Sequence, residues 1–172
     1  VTQTPDVRLQ LFVVVLLIGT NDLEEQTDPE TIAANLKLIL AELKQHNAKM
    51  PVVLCQVFPS SATKKRPADQ IKKINELYAA VVKGDAQITL IETWPLFADA
   101  QGDAKPEEFP DLLHPNQAGY TKWAAALRPM IERLGGKLES FDFAFGDYDA
   151  VIIAELPDNV TAAAISMAVG AS

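Results

Sequence analysis

The sequence predicts an α/β fold, in which a parallel sheet lies between two layers of helices. Three apolar runs alternate along the chain with three amphipathic segments, over residues 9–18, 28–45, 51–58, 69–83, 88–92 and 116–134. Continuous apolar runs are typical of strands covered on both faces, and regular alternation of strand and helix is typical of parallel strands joined by right-handed crossovers. We therefore expect a three-layer domain over residues 1–134.

The first apolar run, Leu9 to Ile18, consists mainly of Val and Leu. It is shorter than the roughly 20 residues that a membrane-spanning helix needs, so we interpret it as a buried strand. The run ends at GTND, residues 19–22, a polar break at the carboxyl end of the strand.

The helices that follow have clear sequence signals. Asp28, Pro29 and Glu30 are typical of an N-cap, a first helical position and an acidic first turn. Apolar residues then recur at helical spacing in both segments, at Ile32, Leu36, Ile39, Leu40 and Leu43 and at Ile71, Ile74, Leu77, Tyr78 and Val81.

A long connection, residues 93–115, separates the last predicted strand from the last predicted helix. Loops of more than about 15 residues inside a compact domain are usually functional. In parallel sheets the chemistry lies at the carboxyl ends of the strands. We therefore expect Asn21, Ser60 and the loop from Trp94 to His114 to share one edge of the sheet.

The pattern changes after Leu134. An alternating segment, 137–145, and an apolar segment, 150–156, flank a Gly-Asp-Tyr-Asp turn, and an Ala-rich stretch follows at 159–169. This pattern predicts an α+β unit over residues 135–172, a β-hairpin followed by a helix.

Composition restricts the classes of function. The net charge of −8 disfavours nucleic-acid binding, because an acidic surface repels phosphates. Two histidines, His46 and His114, lie far apart in sequence, so we expect neither a metal site nor another cofactor. The single cysteine, Cys55, lies in an apolar run and is interpreted as a buried hydrophobic residue. A cytoplasmic protein without a membrane span is expected.

Three polar residues form a candidate catalytic set. Asp111 precedes His114 by three residues, a spacing that lets its carboxylate hold the imidazole Nδ1 and leave Nε2 as a base. Asn21 ends the first strand, where a side-chain amide is suited to donate to an oxyanion. Each residue alone is also explained by capping and turn roles.

The motifs GTND and DLLHPNQAGY together resemble the third and fifth conserved blocks of the SGNH (GDSL-type) hydrolases, over residues 9–134. The resemblance implies a partial, flavodoxin-like SGNH fold that cleaves carboxylic esters. It also implies Asn21 as oxyanion donor, His114 as base and Asp111 as its orienting residue. Gly19, Asp22 and Trp94 are expected at the substrate site.

The sequence departs from this family at the nucleophile. In the family a serine precedes the GTND-like block, but residues 1–18 contain no serine. Ser60 and Ser61 lie on the expected edge of the sheet and are the candidate replacements. In one alternative the triad is incomplete or rewired, and Asp111 and His114 activate water directly. In the other, Ser60 and Ser61 are loop hydroxyls that only contact solvent.

The segment 135–172 resembles part of the GYD-domain proteins. We therefore interpret the chain as two partial domains joined near Leu134, with a truncated start. Two other functions stay open, an inactive fold remnant and a small-molecule-binding or assembly module. The long apolar edge of the first strand predicts either a homodimer or docking of the hairpin 137–156 on that strand.

Overall fold

The structure is a computed structural model that describes residues 13–134 in full and the strands 137–143, 150–155 and 163–167 through their backbone. Residues 9–12 of the first apolar run lie outside the described residues, which start at Val13.

A three-stranded parallel sheet forms the centre of residues 13–134. Its strands are β1 (Val14–Leu16), β2 (Val52–Cys55) and β3 (Ile88–Ile91), in the spatial order β1-β2-β3. Val53 of β2 lies opposite Val15 on one side and Thr89 on the other. The predicted parallel sheet is confirmed, with strands shorter than the apolar runs that encode them.

Five helices surround the sheet in the described part of the chain. They are α1 (Thr20–Glu24), α2 (Pro29–His46), α3 (Ala68–Val82), α4 (Trp94–Phe97) and α5 (Gln117–Arg133). The predicted cap is confirmed, since Asp28 Oδ1 accepts a hydrogen bond from Thr31 N–H at 2.9 Å. None of these helices is both long and apolar enough to cross a membrane.

The central strand of the sheet, β2, is buried on both faces. Val53 and Cys55 of β2 point toward α5 and pack in a cluster with Trp123. Val52 and Leu54 point to the opposite face and pack against α2 and α3. Successive side chains of a strand alternate between faces, so two separate cores follow from one run of apolar residues. The three-layer architecture is confirmed.

Two local expectations differ from the structure. Ile39, expected on the buried face of α2, is 39% exposed, because the buried stripe follows Ile32, Leu36 and Leu40. The polar break at residues 19–22 is a short helix, α1, rather than an open turn. Gly19 reverses the chain with φ +103°, and the helical hydrogen bonds start directly after it.

The C-terminal strands β4 (Lys137–Phe143), β5 (Ala150–Glu155) and β6 (Ala163–Met167) form an antiparallel sheet in the order β4-β5-β6. The predicted hairpin is confirmed, and the helix predicted over 159–169 is wrong at residues 163–167. The helix propensity of alanine is a weak preference, and pairing with β5 satisfies the backbone groups on the open side of that strand. The other residues of the predicted helix lie outside the described residues.

Candidate active site

Asp111 and His114 meet in the loop that leads into α5. Asp111 Oδ2 lies 2.6 Å from His114 Nδ1. The other carboxylate oxygen accepts hydrogen bonds from the backbone N–H of His114 at 2.8 Å and of Leu113 at 3.0 Å. A carboxylate at Nδ1 favours the tautomer protonated there, so that Nε2 becomes the basic nitrogen. The His114 side chain is 67% exposed, and solvent or a substrate can therefore reach it.

The pKa of Asp111 lies below its usual range. Partial burial by itself raises the pKa of Asp111, but the hydrogen bonds from His114 and Leu113 and the nearby imidazole outweigh it and lower the pKa to about 2. Asp111 is therefore an ionised acceptor at neutral pH. It can orient the imidazole and stabilise its protonated form without itself taking up the proton.

The backbone of this loop has an unusual conformation at Leu112. Leu112 has φ +62°, in the left-handed region that non-glycine residues rarely adopt. Its carbonyl oxygen accepts a hydrogen bond from Ser60 Oγ at 2.7 Å. At the other end of the loop, Asn116 caps α5 through hydrogen bonds from Ala118 N–H and Gly119 N–H. The loop that carries Asp111 and His114 is thus held by Ser60 at Leu112 and by the α5 cap at Asn116.

Asn21 lies in α1, the short helix that follows β1. Its Oδ1 accepts a hydrogen bond from Arg66 Nη2 at 3.2 Å. Arg66 is only 2% exposed and lies in the connection that follows β2. The same connection carries Ser60. Residues 59–67 therefore contact both Asn21 and the Asp111–His114 loop, and we name this segment the β2 loop.

The two candidate nucleophiles are buried within the β2 loop. Ser60 is 2% exposed and Ser61 3%. Ser60 donates its hydroxyl proton to the Leu112 carbonyl. Ser61 Oγ lies 3.3 Å from Asp103 Oδ2 and accepts from Thr63 N–H, as the N-cap of a short 3-10 turn. Both hydroxyls therefore have structural partners, and neither is the solvent-facing loop hydroxyl of the alternative interpretation.

Trp94 and Gly19, two of the residues expected at the substrate site, lie beside the core formed with α2 and α3. Trp94 starts α4, and its half-buried ring packs on the core that contains α3. Lys72 Nζ lies 5.8 Å from the centre of that ring. Burial, together with the charge of Asp22, raises the pKa of Tyr78, whose hydroxyl donates to the Ile18 carbonyl beside Gly19. Substrate contact by Gly19, Asp22 and Trp94 stays a prediction.

Cys55 is buried in β2, as predicted. Burial raises the pKa of its thiol to about 12, although a hydrogen bond with Trp123 acts in the opposite direction. Cys55 is therefore a thiol at neutral pH and not a nucleophile. Within the residues that the structure describes, no three His, Cys, Asp or Glu side chains are grouped to hold a metal ion.

Arg66 is the residue near the site that sequence reasoning missed. It follows Lys64 and Lys65 in a polar connection, where three consecutive basic residues are typical of a solvated surface. Nothing local distinguishes Arg66 from its neighbours. Its contact with Asn21 spans 45 positions and depends on the fold.

Comparison with known families gives two matches. Residues 2–122 match the GDSL-like Lipase/Acylhydrolase family, and residues 114–172 match the GYD domain. The matches overlap at residues 114–122, which include the start of α5. The predicted combination of the two domains is confirmed.

Curated relatives include the platelet-activating factor acetylhydrolase IB subunit alpha1 of Bos taurus, 24% identical over 122 residues. The same subunit of Pongo abelii is 23% identical. The alignment with the bovine protein covers 71% of this chain and 52% of the relative, so the chain spans about half the length of the curated relatives it matches.

Solved structures share the fold. A structure described as a platelet activating factor from Streptococcus pneumonia superposes with a TM-score of 0.64 and 23% identity, covering 69% of this chain and 58% of that one. A carbohydrate esterase family 3 protein from Talaromyces cellulolyticus superposes with a TM-score of 0.55 and 18% identity, covering 72% and 58%. These similarities show the predicted SGNH-type α/β fold.

Proposed function

Because the chain belongs to the GDSL-like lipase/acylhydrolase family, we propose that it hydrolyses carboxylic esters, with His114 as general base, Asp111 as its orienting residue and Asn21 as oxyanion donor. The observation that carries the proposal is the 2.6 Å contact between Asp111 Oδ2 and His114 Nδ1. That contact leaves a basic, accessible Nε2 on the opposite side of the imidazole.

The proposed reaction uses water as the attacking group. His114 Nε2 removes a proton from a water molecule as its oxygen forms a bond to the ester carbonyl carbon. The carbonyl oxygen becomes an oxyanion, which accepts a hydrogen bond from the Asn21 amide. The intermediate then collapses by breaking the bond to the alkoxy oxygen, and the imidazolium returns the proton to this leaving group. The products are an acid and an alcohol.

The surroundings of the two serines favour water over a covalent intermediate. Attack by Ser60 would break its 2.7 Å hydrogen bond to the Leu112 carbonyl, in the loop that positions His114. Attack by Ser61 would remove the cap of the 3-10 turn. A hydrolase without a serine nucleophile retains only a factor of about 10³–10⁴ over the uncatalysed rate. Turnover is therefore expected to be slow.

The first test compares His114→Ala with His46→Ala, which changes the other histidine of the chain. An aryl acetate is a suitable substrate, because the curated relatives are named for acetylhydrolysis. His46 is exposed at the end of α2 and serves as the matched control. We expect His114→Ala to abolish hydrolysis and His46→Ala to keep the parent rate. Equal rates in the two variants contradict the proposed base.

A second test addresses the nucleophile. A serine-directed phosphonate, followed by peptide mass analysis, is expected to leave Ser60 and Ser61 unmodified while hydrolysis proceeds. Modification of Ser60 or Ser61, accompanied by loss of hydrolysis, would assign the covalent route to that residue. Modification of Ser140 or Ser166 would contradict the position of the site at the carboxyl edge of the sheet.

The match of residues 114–172 to the GYD domain favours a second candidate function. In this alternative the chain is an inactive hydrolase fold, and the C-terminal sheet binds a small molecule or directs assembly. The assay separates the two candidates, because this alternative predicts no hydrolysis that depends on His114.

A further inference from the structure

The buried Arg66 makes an unusually complete set of contacts around α1. Its Nε donates to the Thr20 carbonyl at 2.9 Å, and Nη1 donates to the Lys64 carbonyl at 2.7 Å. Its Nη2 donates to Asn21 Oδ1 at 3.2 Å and to Glu24 Oε2 at 2.7 Å. Three of these four partners belong to α1, the helix that carries the proposed oxyanion donor.

The chemistry of a guanidinium determines the orientation of the Asn21 amide. Arginine has only donors, so the amide atom that faces Nη2 must be the carbonyl oxygen. The amide nitrogen, with its two hydrogens, is then the atom of the planar group that is turned away from Nη2. A carboxamide has nearly the same shape when turned by 180°, so shape alone does not distinguish the two orientations.

Only one of the two orientations is useful in the proposed reaction. With the nitrogen turned toward the substrate, Asn21 donates to a developing oxyanion. With the oxygen turned toward the substrate, Asn21 presents the negative end of its carbonyl dipole and repels that oxyanion. The positive charge of Arg66 also draws electron density toward Oδ1, which makes the N–H groups stronger donors.

We propose that Arg66 is a positioning residue that holds the Asn21 amide with its nitrogen toward the substrate and so makes it an effective oxyanion donor. The inference rests on the proposed esterase function. It assigns a catalytic reason to a buried arginine in the β2 loop, a segment that follows a different strand from Asn21. Lysine cannot replace it, because an ammonium lacks the planar set of donors that contacts four partners at once.

The kinetic test uses Arg66→Lys, with Glu24→Gln as the matched control. Glu24→Gln removes the negative charge of the half-exposed partner of Arg66 but keeps the contact between Arg66 and Asn21. We expect Arg66→Lys to lower kcat roughly 10-fold with little change in KM, since an oxyanion donor acts in the transition state. Glu24→Gln is expected to stay within about twofold of the parent kcat, because glutamine keeps an acceptor oxygen for Arg66 Nη2 and leaves Arg66 in contact with Asn21.

A double-mutant cycle separates positioning from general loss of structure. Asn21→Ala alone should lower kcat about 100-fold. In the Asn21→Ala background, Arg66→Lys should then cause no further loss, because no amide is left to orient. The same 10-fold loss in both backgrounds would overturn the proposal, since Arg66 would then act independently of Asn21.

Two readouts do not depend on turnover. The Asn21 side-chain amide pair, identified in a ¹⁵N–¹H spectrum by its absence in Asn21→Ala, should shift in Arg66→Lys and not in Glu24→Gln. Asn21→Asp keeps an oxygen toward Arg66, so it should unfold at or above the parent temperature. Because it has no side-chain N–H, it should lose kcat in the kinetic test as Asn21→Ala does.

An unshifted amide pair in folded Arg66→Lys overturns the proposed orientation. An Asn21→Asp variant that is destabilised as much as Asn21→Ala also overturns the proposed orientation. This variant tests the orientation even where Arg66→Lys does not fold. Absence of any ester hydrolysis in the parent protein would instead refute the proposed function, and the amide spectrum would still decide whether Arg66 orients Asn21.

Discussion

At the scale of single residues, the GTND motif depends on a glycine that two independent constraints require. Gly19 has φ +103°, and a Cβ built on it would lie 2.6 Å from Tyr78 Oη. That hydroxyl donates to the carbonyl of Ile18, in the connection between β1 and α1. Gly19 therefore lets the chain pass close to Tyr78 of α3 immediately before α1 begins.

We expect Gly19→Ala to lower the free energy of unfolding by about 2–4 kcal/mol, the combined effect of an unfavourable φ and a steric clash. Gly84→Ala is the matched control, because Gly84 also has a positive φ, +80°, but a Cβ there meets nothing within 4 Å. The control should cost only about 1 kcal/mol. Urea unfolding of both variants measures the difference, and equal losses would show that the contact with Tyr78 is unimportant.

Residue types and short spacings predicted the local part of the site. The three-residue spacing of Asp111 and His114 predicted their contact, because a loop of that length brings the side chains together. Arg66 could not be predicted in this way, since its partners Thr20 and Asn21 lie 46 and 45 positions away. The burial of Ser60 and Ser61 likewise depends on how the β2 loop folds over the strands.

At the scale of elements, the β2 loop supports the loop that carries His114. The Ser60 hydroxyl reaches the carbonyl of Leu112, the residue whose positive φ turns the chain between Asp111 and Leu113. The backbone N–H groups of Leu113 and His114 then point at the Asp111 carboxylate. A hydrogen bond from one loop thus supports the conformation of another.

Ser60→Ala is expected to lower the free energy of unfolding by about 1–2 kcal/mol, through loss of a buried hydrogen bond. Amide hydrogen exchange of Leu113 and His114 should accelerate, because the loop loses its support. Thr121→Ala is the control, since Thr121 Oγ1 donates to the Gln117 carbonyl in an exposed position. Unchanged exchange at Leu113 and His114 in Ser60→Ala would contradict the role assigned to this hydrogen bond.

Helical spacing and capping residues predicted α2, α3 and α5 to within a few positions, because amphipathic segments with local caps carry their own structural signal. The strand β6 could not be predicted in this way. Its sequence is rich in alanine, which favours a helix in isolation, and only pairing with β5 makes it a strand. The short helix α1 also escaped prediction, since five residues provide no periodicity.

At the scale of the whole molecule, two family matches share one helix. The GDSL-like match ends at residue 122 and the GYD match begins at residue 114, so the start of α5 (Gln117–Arg133) lies in the overlap. On one side α5 packs Trp123, Leu127 and Ile131 against the parallel sheet. At its end the chain continues directly into β4, the first strand of the antiparallel sheet. A single helix thus connects the two sheets.

The edge of the parallel sheet leads to the final prediction. Among the described strands β1 pairs with β2 alone, and an apolar strand with an open edge recruits another strand. Cα atoms of β6 come within 8 Å of those of β1, but among the strands that the structure describes no hydrogen-bonded ladder joins the two sheets. This edge can be covered by a second copy of the chain or by the chain's own C-terminal sheet, and we favour a homodimer.

Light scattering should give about twice the chain mass of 18.7 kDa. Val14 N–H donates to the Pro51 carbonyl at 3.0 Å, so the next amide along the strand, Val15 N–H, points away from β2. In a dimer, Val15 N–H should be protected from hydrogen exchange at high protein concentration and exposed on dilution, with Val14 N–H protected throughout. A monomer with a protected Val15 N–H would indicate cover by the same chain. A monomer in which Val15 N–H exchanges freely would contradict both arrangements, because the edge of β1 would then be stable without a partner.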